Sequence, residues 1–193
     1  MSHLIGFDIS TTYIGITVLN ANRDFGSDGL NIAKLEHIDF KDCKTFWEKA
    51  DKVKSLFEQW KLTKPFDDIE EIYVEDAAKR YSTGKTSADT IATLLKFNGL
   101  VSYFARCVWN CEPEMISVAH ARKLCGLKMQ QSKICQKTHK EQTFEQMMNT
   151  DLKHITWEKK KKSERIVDWA NDIVDSYVIA KAGHKSRNRQ FQT

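Results

Sequence analysis

The chain has 193 residues, 41% of them apolar, and a net charge of +4. That is enough apolar sequence for one domain with a full hydrophobic core, and it excludes wholesale disorder. No run approaches the roughly 18 apolar residues of a membrane span, and MSHLIGFDIS lacks a basic leader with a long apolar region, so neither a membrane protein nor a secretory precursor is expected.

LIGFDIS (4–10) and YIGITVLN (13–20) predict two strands joined by a tight turn at Thr11 and Thr12, because Ile14, Ile16 and Val18 alternate with smaller or polar residues. LNIAKLEHIDF (30–40) alternates too and predicts a third, antiparallel strand. Across 45–62, Phe46, Trp47, Val53, Leu56, Phe57 and Trp60 recur at helical spacing, and Pro65 closes that helix. IEEIYVED (69–76) predicts a fourth strand. A long helix follows from about Ser87 to Trp109, with Ile91, Leu94, Leu95, Val101 and Phe104. Pro113 then precedes a fifth strand in MISVAH (115–120). Residues 119–150 read as helical, basic and Gln-rich. KKKK (159–162) lies in a polar stretch before a last helix over about 163–183, and the polar tail 184–193 is expected to fray.

Three meandering strands followed by alternating helices and strands predict a five-stranded mixed α/β sheet with helices on both faces. No internal repeat or Pro/Gly-rich linker interrupts the chain. The expectation is one domain, 1–193, with its core over about 3–183.

The net charge hides an asymmetry. Residues 1–114 hold 14 Lys and Arg against 18 Asp and Glu, whereas residues 115–193 hold 16 against 8. A basic half suits a polyanion, because neutralising phosphates releases counterions. A solvated surface would give the same count. Five cysteines, an odd number, suit reduced thiols in an intracellular compartment.

The acidic residues fall at telling places. Asp8 lies in the apolar run of the first strand, and Glu75 ends the fourth. Asp172 and Asp175 share one face of the last helix at i and i+3, inside NDIVDSYVIA. Ionised Asp is rarely buried unless paired or coordinating a metal. A strand-end Glu or a helical DxxD is often mere surface, but together they can converge at one sheet edge. Such a cluster suits hard divalent cations, and two such ions can cut a phosphodiester.

The series FDISTTYIG, IYVED and NDIVDSYVIA resembles the RuvC-like Holliday junction resolvases of the ribonuclease H-like superfamily, in element order from residue 4 to about 183. The resemblance implies a ribonuclease H-like fold. It implies an acidic quartet of Asp8, Glu75, Asp172 and Asp175 as catalytic and metal-binding residues, with Mg²⁺ as cofactor and Mn²⁺ as substitute. It also implies a homodimer that nicks branched DNA at four-way junctions, in recombination and repair. The chain departs from the pattern at Ala78, where bacterial members often carry an aromatic (Tyr81 is the nearest), and at Ser176, where Ala often stands. Its segment 119–162 is longer and more basic. Such drift looks like that of a viral, phage or organellar relative, placed in the cytoplasm or that of a host.

KRYSTGKTS (79–87) follows Glu75. Lys79, Arg80 and Lys85 are candidate phosphate contacts there, and Tyr81 is a candidate for stacking on an unpaired base. Its GKT is not a P-loop, because the required first glycine is Lys79. Further on, Arg122, Lys123, Lys128 and Lys133 are candidate DNA contacts, followed by Lys137 and Lys140. Lys133 could stabilise charge on the scissile phosphate, as could its neighbours. Cys107, Cys111, Cys135 and His139 could suggest zinc, but the two cysteines spaced by four would pack inside a core helix. Trp47, Trp60 and Trp109 suit core or dimer contacts.

Other functions compete. A nuclease of the same fold could act on RNA–DNA hybrid or structured RNA, and a non-catalytic DNA-binding module could keep the fold. FDISTTYIG also looks like the phosphate hairpin of actin-like sugar kinases, but the chain lacks their second domain and second phosphate loop.

Overall fold

In the computed structural model, which describes residues 2–21, 30–63, 66, 68–77, 87–161, 163 and 165–190 (backbone alone at 189 and 190), strand alternation sets the architecture. Strands β1 (Ser2–Ile9) and β2 (Tyr13–Ala21) form an antiparallel hairpin, and β3 (Leu30–Asp39) pairs antiparallel with β2. Ser10 closes the hairpin: its Oγ accepts from Tyr13 N at 3.0 Å and its own N donates to Tyr13 O at 2.9 Å. Helix α1 (Phe46–Thr63) leads to β4 (Ile69–Glu75), parallel to β1. Helix α2 (Ala88–Trp109) leads to β5 (Pro113–Ile116), parallel to β4. The five strands lie in the order β3-β2-β1-β4-β5, the mixed sheet expected from the sequence.

Ile5, Phe7, Ile9, Ile14, Ile16, Ile72 and Val74 bury one face of this sheet. Val53, Phe57 and Trp60 of α1 and Phe97, Val101 and Ala105 of α2 complete that core. On the other face Leu4, Leu19 and Tyr73 meet α3 (Val118–Leu124), α5 (His139–Met148) and α6 (Trp169–Gln190), through Ala121, Met147, Val174, Val178 and Ala182. Burying these side chains is the main force holding the layers, at roughly 1.5–3 kcal/mol for each large one.

Two glycines let α6 lie directly on the sheet. A Cβ on Gly15 would sit 2.1 Å from Asp172 O, and one on Gly6 would sit 2.4 Å from Ser176 O. Ser176 is buried, with its Oγ 2.8 Å from Thr17 Oγ1 and donating to Ile173 O at 2.7 Å, so its hydroxyl is satisfied where a smaller Ala was the pattern. We expect Gly15→Ala to lower stability by on the order of 3 kcal/mol, because a backbone rather than a flexible side chain would have to move. Urea denaturation checks this, and an unchanged midpoint would contradict the contact.

Several boundaries differ from the sequence reading. The fifth strand is Pro113–Ile116 rather than 115–120, because the Ser117 side chain accepts from His120 N and starts α3 there. The basic stretch 119–150 is not continuous helix but α3, a short α4 (Ser132–Cys135) and α5. The last helix starts at Trp169 rather than near 163, because Lys159 and Ile166 bridge in an antiparallel turn. It also runs past 183 to Gln190, held where His184 Nδ1 and Arg187 lie 3.3 and 3.4 Å from Glu71. Of the tryptophans, Trp60 and Trp109 are in the core and Trp47 is exposed. Among the described residues no helix is long and apolar enough to cross a membrane.

Candidate active site

Strand alternation turns Asp8 of β1 and Glu75 of β4 toward α6, opposite to Phe7 and Val74. Asp8 pairs in register with Gly15, the residue on which Asp172 of α6 rests. Asp172 and Asp175 stand one turn apart on the helix face that meets the sheet. The four carboxylates thus converge from two strands and one helix. They are exposed by only 0% (Asp8), 2% (Glu75), 8% (Asp172) and 2% (Asp175). Asn98 of α2 fixes the end of β4 by donating from Nδ2 to Glu75 O at 3.0 Å, and Ser102 Oγ donates to Asn98 O at 2.8 Å. At the start of α6 the Trp169 ring stacks on His37 of β3, with centroids 4.1 Å apart.

Two cations enter the cluster from the basic segment. Lys140 Nζ lies 3.1 Å from Asp8 Oδ2, 2.5 Å from Asp172 Oδ1 and 3.5 Å from Asp175 Oδ2. Arg122, itself buried, donates from its Nη2 to Asp175 Oδ1 at 3.1 Å. Local sequence explains how Lys140 gets there. Thr138 caps α5 in a reciprocal box with Glu141, which fixes the helix start two residues ahead of the lysine. Gln142 and Gln146 then clamp the preceding loop: Gln130 N donates to Gln142 Oε1 at 2.7 Å and Lys128 N to Gln146 Oε1 at 2.9 Å. Those two bonds account for part of the Gln-rich character of the segment.

Among the described residues, four carboxylates against these two cations sum to a formal charge of −2 when all are ionised. Burial, together with the neighbouring charge of Asp8, pushes the Asp172 carboxyl up to about 6 against the pull of Lys140. Burial pushes Asp175 up as well, with Lys140 and Arg122 opposing. Burial works against the Lys140 charge, but Asp8, Asp175 and Asp172 hold the ammonium well above the usual lysine range.

A raised carboxyl binds its proton more tightly in the folded chain. The ionised form of Asp172 therefore costs stability that appears as pH rises from about 4 to about 6 and is fully present above that. In chelated protein, Asp172→Asn, which mimics the protonated form, should melt above wild type at pH 8. The gap should close as pH falls toward 4. Thermal melts across that range check it, and a gap of opposite sign would contradict the charge balance.

No family model matches the sequence, and no curated protein matches it. Solved structures do. Thermus thermophilus RuvC aligns with a TM-score of 0.59 over 97% of this chain and 96% of its own, at 13% identity. RuvC of the same organism in complex with a Holliday junction substrate gives 0.58 over 97% and 96%, at 11% identity. The chain has the RuvC fold. A Fowlpox virus resolvase in complex with Holliday junction DNA also matches, with a TM-score of 0.49 and 10% identity over 96% of this chain and 98% of its own.

Within the RuvC fold, the residues singled out in the sequence fare differently. Asp8, Asp172 and Asp175 come together around Lys140, and Glu75 lines the cleft beside Arg122 and Lys140. Lys123, Lys128 and Lys133 are exposed on the same segment as the site. Arg122 is buried and paired with Asp175, at the edge of the cleft rather than on an exposed surface. Lys133 stands exposed on α4, and Lys140 takes the place at the carboxylates. Lys79, Arg80, Tyr81 and Lys85 lie outside the described residues. Cys107 is exposed rather than buried in a helix core, and Cys111 lies beyond the end of α2, where its Sγ donates to Glu70 O.

Among the described residues, no three His, Cys, Asp or Glu side chains are grouped so that they could hold a metal ion as they stand. Lys140 stands between three of the carboxylates instead. The donor set nevertheless fits Mg²⁺ or Mn²⁺, since all four residues offer hard oxygens. Among the described residues Asp175 Oδ2 has no hydrogen-bond partner and lies buried 3.5 Å from the ammonium, so a cation other than lysine has a ready ligand there. Asp8, Glu75, Asp172 and Asp175 are the residues that would hold the ion.

Proposed function

We propose that the chain is a metal-dependent endonuclease that nicks phosphodiester bonds in branched DNA, with the four-way junction as substrate. The observation that carries this reading is the convergence of four buried carboxylates from β1, β4 and α6 on a RuvC fold. One of them, Glu75, lines an open cleft of about 490 Å³ together with Arg122, His139 and Lys140. The fold it shares with RuvC, which has been solved with a Holliday junction substrate, supports branched DNA as the ligand.

When bound, Mg²⁺ or Mn²⁺ would supply an activated water and charge stabilisation at the leaving oxygen. Asp8, Glu75, Asp172 and Asp175 hold that charge in place, and their burial keeps them fixed. Lys140, which reaches the cluster from the cleft, brings positive charge to the phosphate being cut. Exposed Lys123, Lys128 and Lys133 meet the backbone beyond it. Lys160 and Arg165, on the turn closed by the Lys159–Ile166 bridge, line a separate cleft with Glu141, Glu145, Asp168 and Asn171. A homodimer would pair two sites. Leu95, Gly99 and Tyr103, spaced by four on the outer side of α2, give it a contact stripe, with Leu95 42% and Tyr103 57% exposed.

The test is cleavage of labelled four-way junction, linear duplex, RNA–DNA hybrid and structured RNA with Mg²⁺ or Mn²⁺. Paired symmetric nicks in the junction are the expected result. Preferential cutting of hybrid or RNA would keep the metal site and change the substrate. Tight junction binding with no cleavage of anything would leave a DNA-binding module.

A further inference from the structure

We propose that Lys140 is a built-in competitor of divalent metal, the resident counter-ion of the carboxylate cluster in DNA-free protein, which has to withdraw before a second ion can load. This rests on the metal-dependent reading above.

The geometry is asymmetric in a useful way. Asp8 and Asp175 are fixed by near-complete burial, whereas the Lys140 side chain keeps 37% of its surface exposed and reaches in from the cleft. Its helix start is locked by the Thr138–Glu141 box, so the ammonium can leave by side-chain rotation with the helix in place. Three carboxylates share this one ammonium within 3.5 Å, which makes its position a strongly negative point for a cation.

Charge sets the count. Among the described residues, the four carboxylates, Arg122 and Lys140 sum to −2 when all are ionised. One divalent ion neutralises the cluster with Lys140 in place. A second ion would leave an excess of +2, which the withdrawal of Lys140 lowers and the negative charge of an arriving phosphodiester offsets further. The DNA-free protein should therefore take up one ion. Full loading should coincide with the arrival of substrate phosphate, and the displaced ammonium would then meet that phosphate at the mouth of the cleft.

Calorimetric titration of the DNA-free full chain with MnCl₂ at pH 8 tests this, on wild type, Lys140→Gln, Lys140→Arg and Asp8→Asn. Lys140→Gln should bind Mn²⁺ about tenfold or more tightly than wild type, or take up an additional ion, because a unit charge is removed within contact distance. Lys140→Arg keeps the charge and should stay near wild type. Circular dichroism confirms that each variant is folded. Unchanged or weaker binding by folded Lys140→Gln would overturn the inference. If wild type binds Mn²⁺, Asp8→Asn loses it and Lys140→Gln is indifferent, the inference alone falls. If no form binds Mn²⁺, the metal-dependent reading falls with it.

Discussion

Asp8→Asn is expected to reduce junction cleavage by on the order of a thousandfold while leaving folding and junction binding intact. Asparagine keeps the shape of the side chain and removes its charge, at a position with no exposure to solvent, on a strand whose partners are fixed on both sides. Asp175→Asn should do the same from the helix side. Neither change should weaken DNA binding, because each removes negative charge facing a polyanion. Single-turnover rates with protein in excess of labelled junction give the measurement. Activity within tenfold of wild type in either variant would sink the carboxylate assignment.

The second large effect is on stability. Arg122→Ala is expected to cost roughly 3–5 kcal/mol, since it leaves Asp175 buried with its nearest strong partner gone. Arg122 and Asp175 are both nearly inaccessible and meet at 3.1 Å, so water cannot replace the lost bond. Combining Arg122→Ala with Asp175→Asn should recover part of the loss, because the uncompensated charge then disappears along with its partner. Urea unfolding of the two single variants and the double variant closes the cycle. Strict additivity would show that Arg122 acts through packing alone.

The carboxylates were legible in the sequence for simple reasons. Alternation along β1 and β4 tells which side Asp8 and Glu75 take, and a spacing of three on a helix puts Asp172 and Asp175 together. The cations were not. Six basic residues between 122 and 140 look alike in one dimension, and only the cap at Thr138 and the glutamine clamps single out Lys140. Arg122 reads as surface charge until α3 is seen packed on α6, with Arg122 reaching Asp175. The last helix misled at both ends. Ile166 and Val167 extend its apolar spacing backward, but a bridge to Lys159 claims that stretch. His184 and Arg187 look like a polar tail, but Glu71, a strand residue far away in sequence, holds them in helix. At Arg122 and at the end of the last helix a long-range partner outweighed local pattern.

The seating of α6 on Gly6 and Gly15 joins the first strands of the chain to its last helix, and this governs when the site can exist at all. Half of the carboxylates belong to the opening two-thirds of the sequence and half to residues past 170. A chain emerging from the ribosome can pair its strands early and still lack Asp172 and Asp175. Contacts this distant in sequence form slowly, after local hairpins and helices. Nascent or truncated chains should therefore be inert toward DNA, and cutting capacity should appear abruptly with the docking of the final helix.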